Sequence, residues 1–189
     1  MTSTPSTAAL DQVVLLHDDG TPSGTASRLD VHDARTPLHL AFSVHLVDPD
    51  GRTLLTRRAL AKRTWPGVWT NSCCGHPRPG EDPTSAASRR VSEELGIEAG
   101  ELDVVLPDFR YRAVDAGGVV ENEVCPVHVA LVPRGTVPSP DAAEVAEHAW
   151  VQWADLHASA LSTPVVFSPW LVSQLRELGA RPSWLPAGR

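Results

Sequence analysis

The stretch that decides the fold is Gly75-His-Pro-Arg-Pro-Gly-Glu-Asp-Pro-Thr-Ser-Ala-Ala-Ser-Arg-Arg-Val-Ser-Glu-Glu-Leu-Gly-Ile97. Its second half reads as a helix with both ends marked. Asp82 offers a side-chain oxygen to the first free backbone N–H groups, and Pro83 suits a helix start because its missing N–H needs no partner there. Ala87, Val91 and Leu95 recur at i, i+4 and i+8, a stripe for burial, and Gly96 stands where the chain must leave the helix. Residues 90, 93 and 94 are spaced by three and four, so Arg90, Glu93 and Glu94 share one face.

Upstream, residues 65–80 are dense in Pro, Gly, Trp, Cys and His with no period of 2 or 3.6. Linkers are not rich in Trp and Cys, so this is a loop that carries chemistry. The apolar run 39–47 predicts a buried strand, Asp48-Pro-Asp-Gly51 a turn, and 52–58 its hairpin partner. Earlier, 13–16 predicts a short strand turned at Asp18-Asp19-Gly20, followed by a polar stretch with Arg28 and His32. Downstream, strands are expected at 108–114 and 119–131, joined by Ala116-Gly-Gly118. Amphipathic segments at 155–162 and 169–178 predict helices that cover the sheet. The expectation is one α/β domain over 11–180, with a flexible tail at 1–10 and a C-terminal tail at 181–189.

Composition narrows the function classes. In 189 residues, 42% are hydrophobic and 21% charged, which excludes collagen, coiled coil and wholesale disorder. A formal charge of −7 provides no bulk attraction to nucleic acid or anionic membrane, so any grip on phosphate must be local. There is no apolar run long enough to span a bilayer, and the start lacks the basic and apolar regions of a secretory signal. Three cysteines, two of them adjacent, make a poor disulfide framework and suit a reducing compartment. The expectation is a soluble cytoplasmic protein, monomer or weak homodimer, that acts on a small molecule and has no nucleic-acid or membrane partner.

Gly75, Glu81, Arg89, Val91, Glu93, Glu94, Gly96 and Ile97 together resemble the Nudix box, Gly-x5-Glu-x7-Arg-Glu-U-x-Glu-Glu-x-Gly-U with U apolar. One position departs: Arg90 stands where the box has Glu. In Nudix hydrolases that face carries carboxylates that bind Mg²⁺ and hence a diphosphate. A cation there cripples the hydrolytic cluster, yet it can clamp a diphosphate oxygen directly. The competing reading is a surface ion pair, Arg90 with Glu94 at i,i+4.

The surroundings add Arg57-Arg-Ala-Leu-Ala-Lys62, Trp65-Pro-Gly-Val-Trp-Thr70, Asn71-Ser-Cys-Cys-Gly-His76, Tyr111-Arg-Ala113, Glu121-Asn-Glu-Val-Cys-Pro126 and Phe167-Ser-Pro-Trp170. Over about 13–178 the chain resembles the type I isopentenyl diphosphate isomerases, a Nudix-fold family. The resemblance implies a Nudix-type mixed sheet sandwiched between helices. It also implies interconversion of isopentenyl and dimethylallyl diphosphate in isoprenoid biosynthesis. That reaction protonates the alkene and deprotonates C2 through a tertiary carbocation. Two alternatives compete, a Nudix diphosphate hydrolase and a non-catalytic ligand-binding module. The Cys/Trp pair serves no need of the first, and the second would have lost an acid/base group.

Residue by residue, the resemblance assigns Cys74 and Glu123 as the acid/base pair, Tyr111 as a relay to Glu123, and Trp170 as the aromatic face for the carbocation. The Cys-Gly-His register selects Cys74 over Cys73, and Cys125 reads as strand packing. Arg28, Arg58, Lys62 and Arg90 match diphosphate-binding positions. Fifteen of the sixteen Lys and Arg residues are Arg, so the retention of Lys62 points to a compact ammonium. His32, His39, His76, Glu121 and Glu123 match a metal cage suited to Zn²⁺, Mn²⁺ or Mg²⁺. Strand parity supports the cage separately, because it aims Glu121 and Glu123 to one side with Cys125 and Val127, where inward carboxylates need a counter-charge. Glu94 matches the ligand of a Mg²⁺ that arrives with the diphosphate. No role falls to His17, His45, His128, His148 or His157.

Overall fold

Two strands pass from one sheet to another, and their crossing places the site. The computed structural model describes residues 12–186. The first sheet holds β1 (Gln12–Leu16), β2 (Pro22–Ser27), β3 (His39–Leu40), β9 (Arg110–Val114) and β10 (Val120–Val124), in the order β2-β1-β3-β10-β9. The second holds β4 (Phe42–Val47), β5 (Arg52–Arg58), β8 (Asp103–Leu106), β11 (Val127–Leu131) and β12 (Val145–Gln152), in the order β12-β5-β4-β11-β8. Short strands β6 (Trp69–Thr70) and β7 (Cys73–Gly75) pair with β5 and β4. The helices are α1 (Pro83–Leu95), α2 (Trp153–Ser162) and α3 (Pro169–Leu178).

Strand β4 is buried along its whole length because both faces are covered. Phe42, Val44 and Leu46 pack with Ala87, Val91 and Leu95 of α1. On the opposite face, His45 meets Trp153 of α2 edge-on at 5.2 Å. A second core there joins Leu55 with Leu156 of α2 and Leu171 and Leu175 of α3. The second sheet is thus the mixed sheet between helices that the sequence predicts. The ends of α1 are as expected: Asp82 accepts from the Ser85 N–H at 3.0 Å, and Gly96 leaves the helix at φ 63°. A Cβ at Gly96 would also lie 3.1 Å from the Ser139 side chain, so glycine is needed twice over.

The run 39–47, expected as one strand, breaks at Ala41, and 119–131 breaks at Cys125-Pro126. Apolar residues continue through both breaks, so the pattern hides them. Pro126 has no N–H to extend a ladder. At the break the Ala41 N–H donates to Val124 (2.9 Å) and the Ser43 N–H to Pro126 (3.0 Å), so the two segments cross together. Parallel pairing of β3 with β10 becomes parallel pairing of β4 with β11.

Other differences are local. Strands β2, β8 and β12 were not anticipated; β2 is a largely exposed edge of Pro, Ser, Gly, Thr and Ala. The 65–80 loop contains β6 and β7, too short to leave a period. Beyond 180, Trp184 packs on Trp153 at 4.9 Å, so this part of the expected tail joins the second core. The expected tail at 1–10, residue 11, and residues 187–189 lie outside the described residues.

Candidate active site

A cavity of about 510 Å³ opens where the two sheets cross. Every residue singled out in the sequence lines it except His39, which is fully buried behind the wall. Strand register explains the convergence. Glu123 faces His39 on β3 and Tyr111 on β9 as direct cross-strand neighbours, and Cys74 on β7 faces Ser43 on β4. Gly75 allows this closeness, since a Cβ there would lie 3.0 Å from the Phe42 ring.

At the inner end, His32, His39, His76 and Glu123 each offer a donor atom, all within 4.8 Å of one another. The Nδ1 of His39 lies 2.9 Å from the Pro37 carbonyl, which must accept, so in the neutral ring the lone pair sits on Nε2 and faces inward. His39 and His76 approach Nε2 to Nε2 at 3.2 Å, and each lies near Glu123 Oε1, at 3.4 and 3.2 Å. Glu121 is absent from this tight group but sits 2.9 Å from His32 Nε2. That contact lacks hydrogen-bond alignment, and His32 Nε2 is a buried nitrogen with no hydrogen-bond partner. Lone pairs aimed at one point, with an orphaned imidazole nitrogen among them, fit a divalent cation better than a proton network. Burial lowers the pKa of His76, which favours the neutral, ligating imidazole.

Next to the cage, the Tyr111 hydroxyl donates to Glu123 Oε2 at 2.7 Å. Burial disfavours the Glu123 carboxylate, but the His39 and His76 rings beside it outweigh this and hold its pKa well below the usual value. Burial raises the Tyr111 phenol, so it remains a donor. Burial pushes the Cys74 thiol up to about 11. Its sulfur lies 3.1 Å from Asn71 Oδ1 and 3.4 Å from Ser43 Oγ. Cys73 turns the other way into the core under α1, and Cys125 is buried at the crossing. Trp170 closes the apolar side, against Trp65 (5.5 Å) and Tyr111 (5.6 Å), with the Arg58 guanidinium carbon 5.5 Å from its ring centre.

The outer end is cationic, with Arg28, Arg58, Lys62 and Arg90 on its lining. Arg58 donates to Thr64 at 3.0–3.2 Å. Arg90 pairs with Glu94, as one sequence reading expects, but it also reaches Glu93 and Glu144, each at 3.3 Å. It therefore belongs to the cavity as well as to the helix surface. Lys62 pairs with Glu144 too. Burial raises the pKa of Glu94 in spite of Arg90 beside it. The Glu81–Arg89 pair, at 2.8 Å, instead ties the loop before α1 to the helix. Sequence reasoning missed Glu144, Asn71 and Ser43. Glu144 sits in an aperiodic segment before β12, and Asn71 and Ser43 are residue types that carry no signal alone.

Comparison with known proteins gives the family. A NUDIX domain profile matches residues 37–171. The isopentenyl-diphosphate Delta-isomerase of Frankia alni is 58% identical over 169 residues, covering 89% of this chain and 86% of that protein. That of Kocuria rhizophila is 56% identical, covering 90% and 94%. Among solved structures, DR0079 from Deinococcus radiodurans superposes with a TM-score of 0.69 at 18% identity over 88% of this chain and 98% of that one, a likeness of fold. With residues 37–171 matched to the domain and more than half of its residues shared with such relatives, the chain belongs to the isopentenyl-diphosphate Delta-isomerase family of NUDIX-domain proteins.

Proposed function

We propose that this protein interconverts isopentenyl diphosphate and dimethylallyl diphosphate. The observation that carries the reading is the placement of Cys74 and the Glu123–Tyr111 pair on one cavity whose apolar wall is Trp170 and whose mouth is cationic. Moving an unactivated double bond requires a proton added at one carbon and another removed from C2. A tertiary cation lies between, so two acid/base groups and a surface that tolerates positive charge are needed. Cys74 and Glu123 are the two groups, and Tyr111 orients the Glu123 carboxylate and passes protons to it. The ring face of Trp170 stabilises the cation.

Arg28, Arg58, Lys62 and Arg90 hold the diphosphate, with Glu94 placed to share a Mg²⁺ that enters with it. His32, His39, His76, Glu121 and Glu123 hold a second divalent ion, Zn²⁺, Mn²⁺ or Mg²⁺, which when bound supplies positive charge to fix and polarise the Glu123 carboxylate. Among the described residues no helix is long and apolar enough to cross a membrane. With three free cysteines, we read the setting as cytoplasmic.

The test is turnover. Incubated with isopentenyl diphosphate and Mg²⁺, the protein yields the allylic isomer; with nucleoside diphosphate compounds it releases no phosphate. Released phosphate without allylic product would replace this reading with a hydrolase.

A further inference from the structure

The sulfur of Cys74 is held from two sides, and both supports lead to α3. Asn71 is fully buried between β6 and β7. Its NH₂ donates to the carbonyls of Val44 (3.1 Å) and Cys73 (2.8 Å), which uses both amide hydrogens and identifies the other atom as oxygen. That oxygen accepts from the Cys74 thiol (3.1 Å), the Trp170 indole (3.2 Å) and the Thr70 hydroxyl (2.9 Å). On the other side, Ser43 Oγ accepts from the Gln174 NH₂ at 2.9 Å. The Ser43 hydrogen is thereby left for a sulfur, with Cys74 and Cys125 each 3.4 Å away. Gln174 Oε1 lies 3.0 Å from His45 Nε2 and only accepts, so His45 is the donor. Trp170 and Gln174 are one helical turn apart on the buried face of α3.

We propose that Asn71 and Gln174 are positioning residues that tie α3 to Cys74, so that the thiol and the Trp170 ring keep a fixed relation across the cavity. Neither lines the cavity; each acts through another group. Asn71 joins sulfur and indole through one oxygen, while Gln174 orients Ser43 toward the sulfur. The ring that stabilises the cation and the thiol that exchanges its proton belong to distant parts of the chain. A small displacement between such groups is costly in rate. Buried polar side chains are costly unless paired; in the run His45, Gln174, Ser43, Cys74, Asn71 only the His45 Nδ1 atom lacks a partner, and the bonds end on the reacting group.

The inference rests on the isomerase reading, and the experiment separates the two. Gln174→Leu leaves His45 without its acceptor and so destabilises the fold whatever else it does. The double variant His45→Leu/Gln174→Leu removes both partners and recovers most of the melting temperature. If Gln174 only satisfies His45, kcat recovers as well. If it positions the thiol, kcat with isopentenyl diphosphate stays down by about 10- to 100-fold in both variants while KM changes little. For the other arm, the kcat losses of Asn71→Leu and Trp170→Phe combine to less than their product, because both break the same link. A readout independent of turnover is the alkylation rate of Cys74 by iodoacetamide, read by mass, with Cys73 and Cys125 shielded by burial. It differs between the double variant and the wild type. Full recovery of kcat with the melting temperature, or an unchanged alkylation rate, would overturn the proposal. A wild type without turnover would defeat the isomerase reading, and the alkylation comparison would still decide the positioning.

Discussion

The inner and outer ends of the cavity solve opposite problems. At the inner end, His39 and Glu123 are nearly or fully buried, and the protein itself fixes their donor atoms through Pro37, Tyr111 and strand register. Three imidazoles and a carboxylate converge there with their donor atoms within 4.8 Å of one another. At the outer end, Lys62 and Arg90 are about a quarter exposed and already hold acids, Glu144 and Glu94. The first arrangement has the donor set and spacing to hold a metal ion. The second is balanced as it stands, and in the proposed reading an incoming diphosphate with its Mg²⁺ displaces internal acid partners. In the proposed reading a permanent ion belongs to the rigid end and an exchangeable one to the adaptable end.

The largest effect is expected between the two ends. Cys74→Ala lowers kcat by about 10²–10⁴-fold, the contribution of an acid/base group, while Cys73→Ala largely spares it because its sulfur faces the α1 core. Steady-state rates of the two variants decide this, and equal losses would mean that the thiol is misassigned. Next, His39→Ala loses its tightly held ion before any substrate is added, by at least the roughly 10- to 100-fold in affinity that loss of even a supporting group costs. Glu94→Gln keeps that ion but needs more Mg²⁺ for turnover. Metal analysis of the purified proteins tests both; a fully loaded His39→Ala would erase the distinction between the ends.

Arg90→Glu tests the outer end alone. Loss of a charge-assisted hydrogen bond costs roughly 1.5–3 kcal/mol, and repulsion of the diphosphate adds to it. KM for isopentenyl diphosphate rises, and no phosphate release appears although the box is now complete. Unchanged affinity would return Arg90 to the helix surface. The smallest effect concerns neither end. Burial holds His45 at about 4 in the folded state, against 6.5 when exposed. Between those values the unfolded chain takes up a proton that the folded chain refuses. Stability is therefore full above pH 6.5 and falls as pH drops toward 4, by roughly 1 kcal/mol per unit. Denaturation at several pH values should show this slope, flattened in His45→Leu/Gln174→Leu; an unaltered slope would place the titration elsewhere.

What was legible in the sequence follows the range of the interactions. The caps and stripe of α1 are local, so Asp82, Pro83, Val91 and Gly96 announced the helix. Glu121 and Glu123 were legible as an inward pair because parity acts over two residues. The crossing at Ala41 and Cys125-Pro126 was not, since an apolar run looks the same whether it stays in one sheet or changes to another. Asn71, Ser43 and Gln174 were silent for a similar reason. Their meaning depends on partners such as Gln174 for Ser43, 131 residues away. Glu144 draws its meaning from Lys62 and Arg90, which only the folded loop brings to it.

The central claim is that two separate groups, Cys74 and Glu123, add one proton and remove another. The most direct measurement is isomerisation of isopentenyl diphosphate by enzyme equilibrated in heavy water. The account predicts solvent deuterium in the methyl group formed from the terminal methylene, incorporated about 10²–10⁴-fold more slowly by Cys74→Ala. Dimethylallyl diphosphate formed without deuterium would mean an internal hydrogen shift, and that result would contradict the assignment of two acid/base groups.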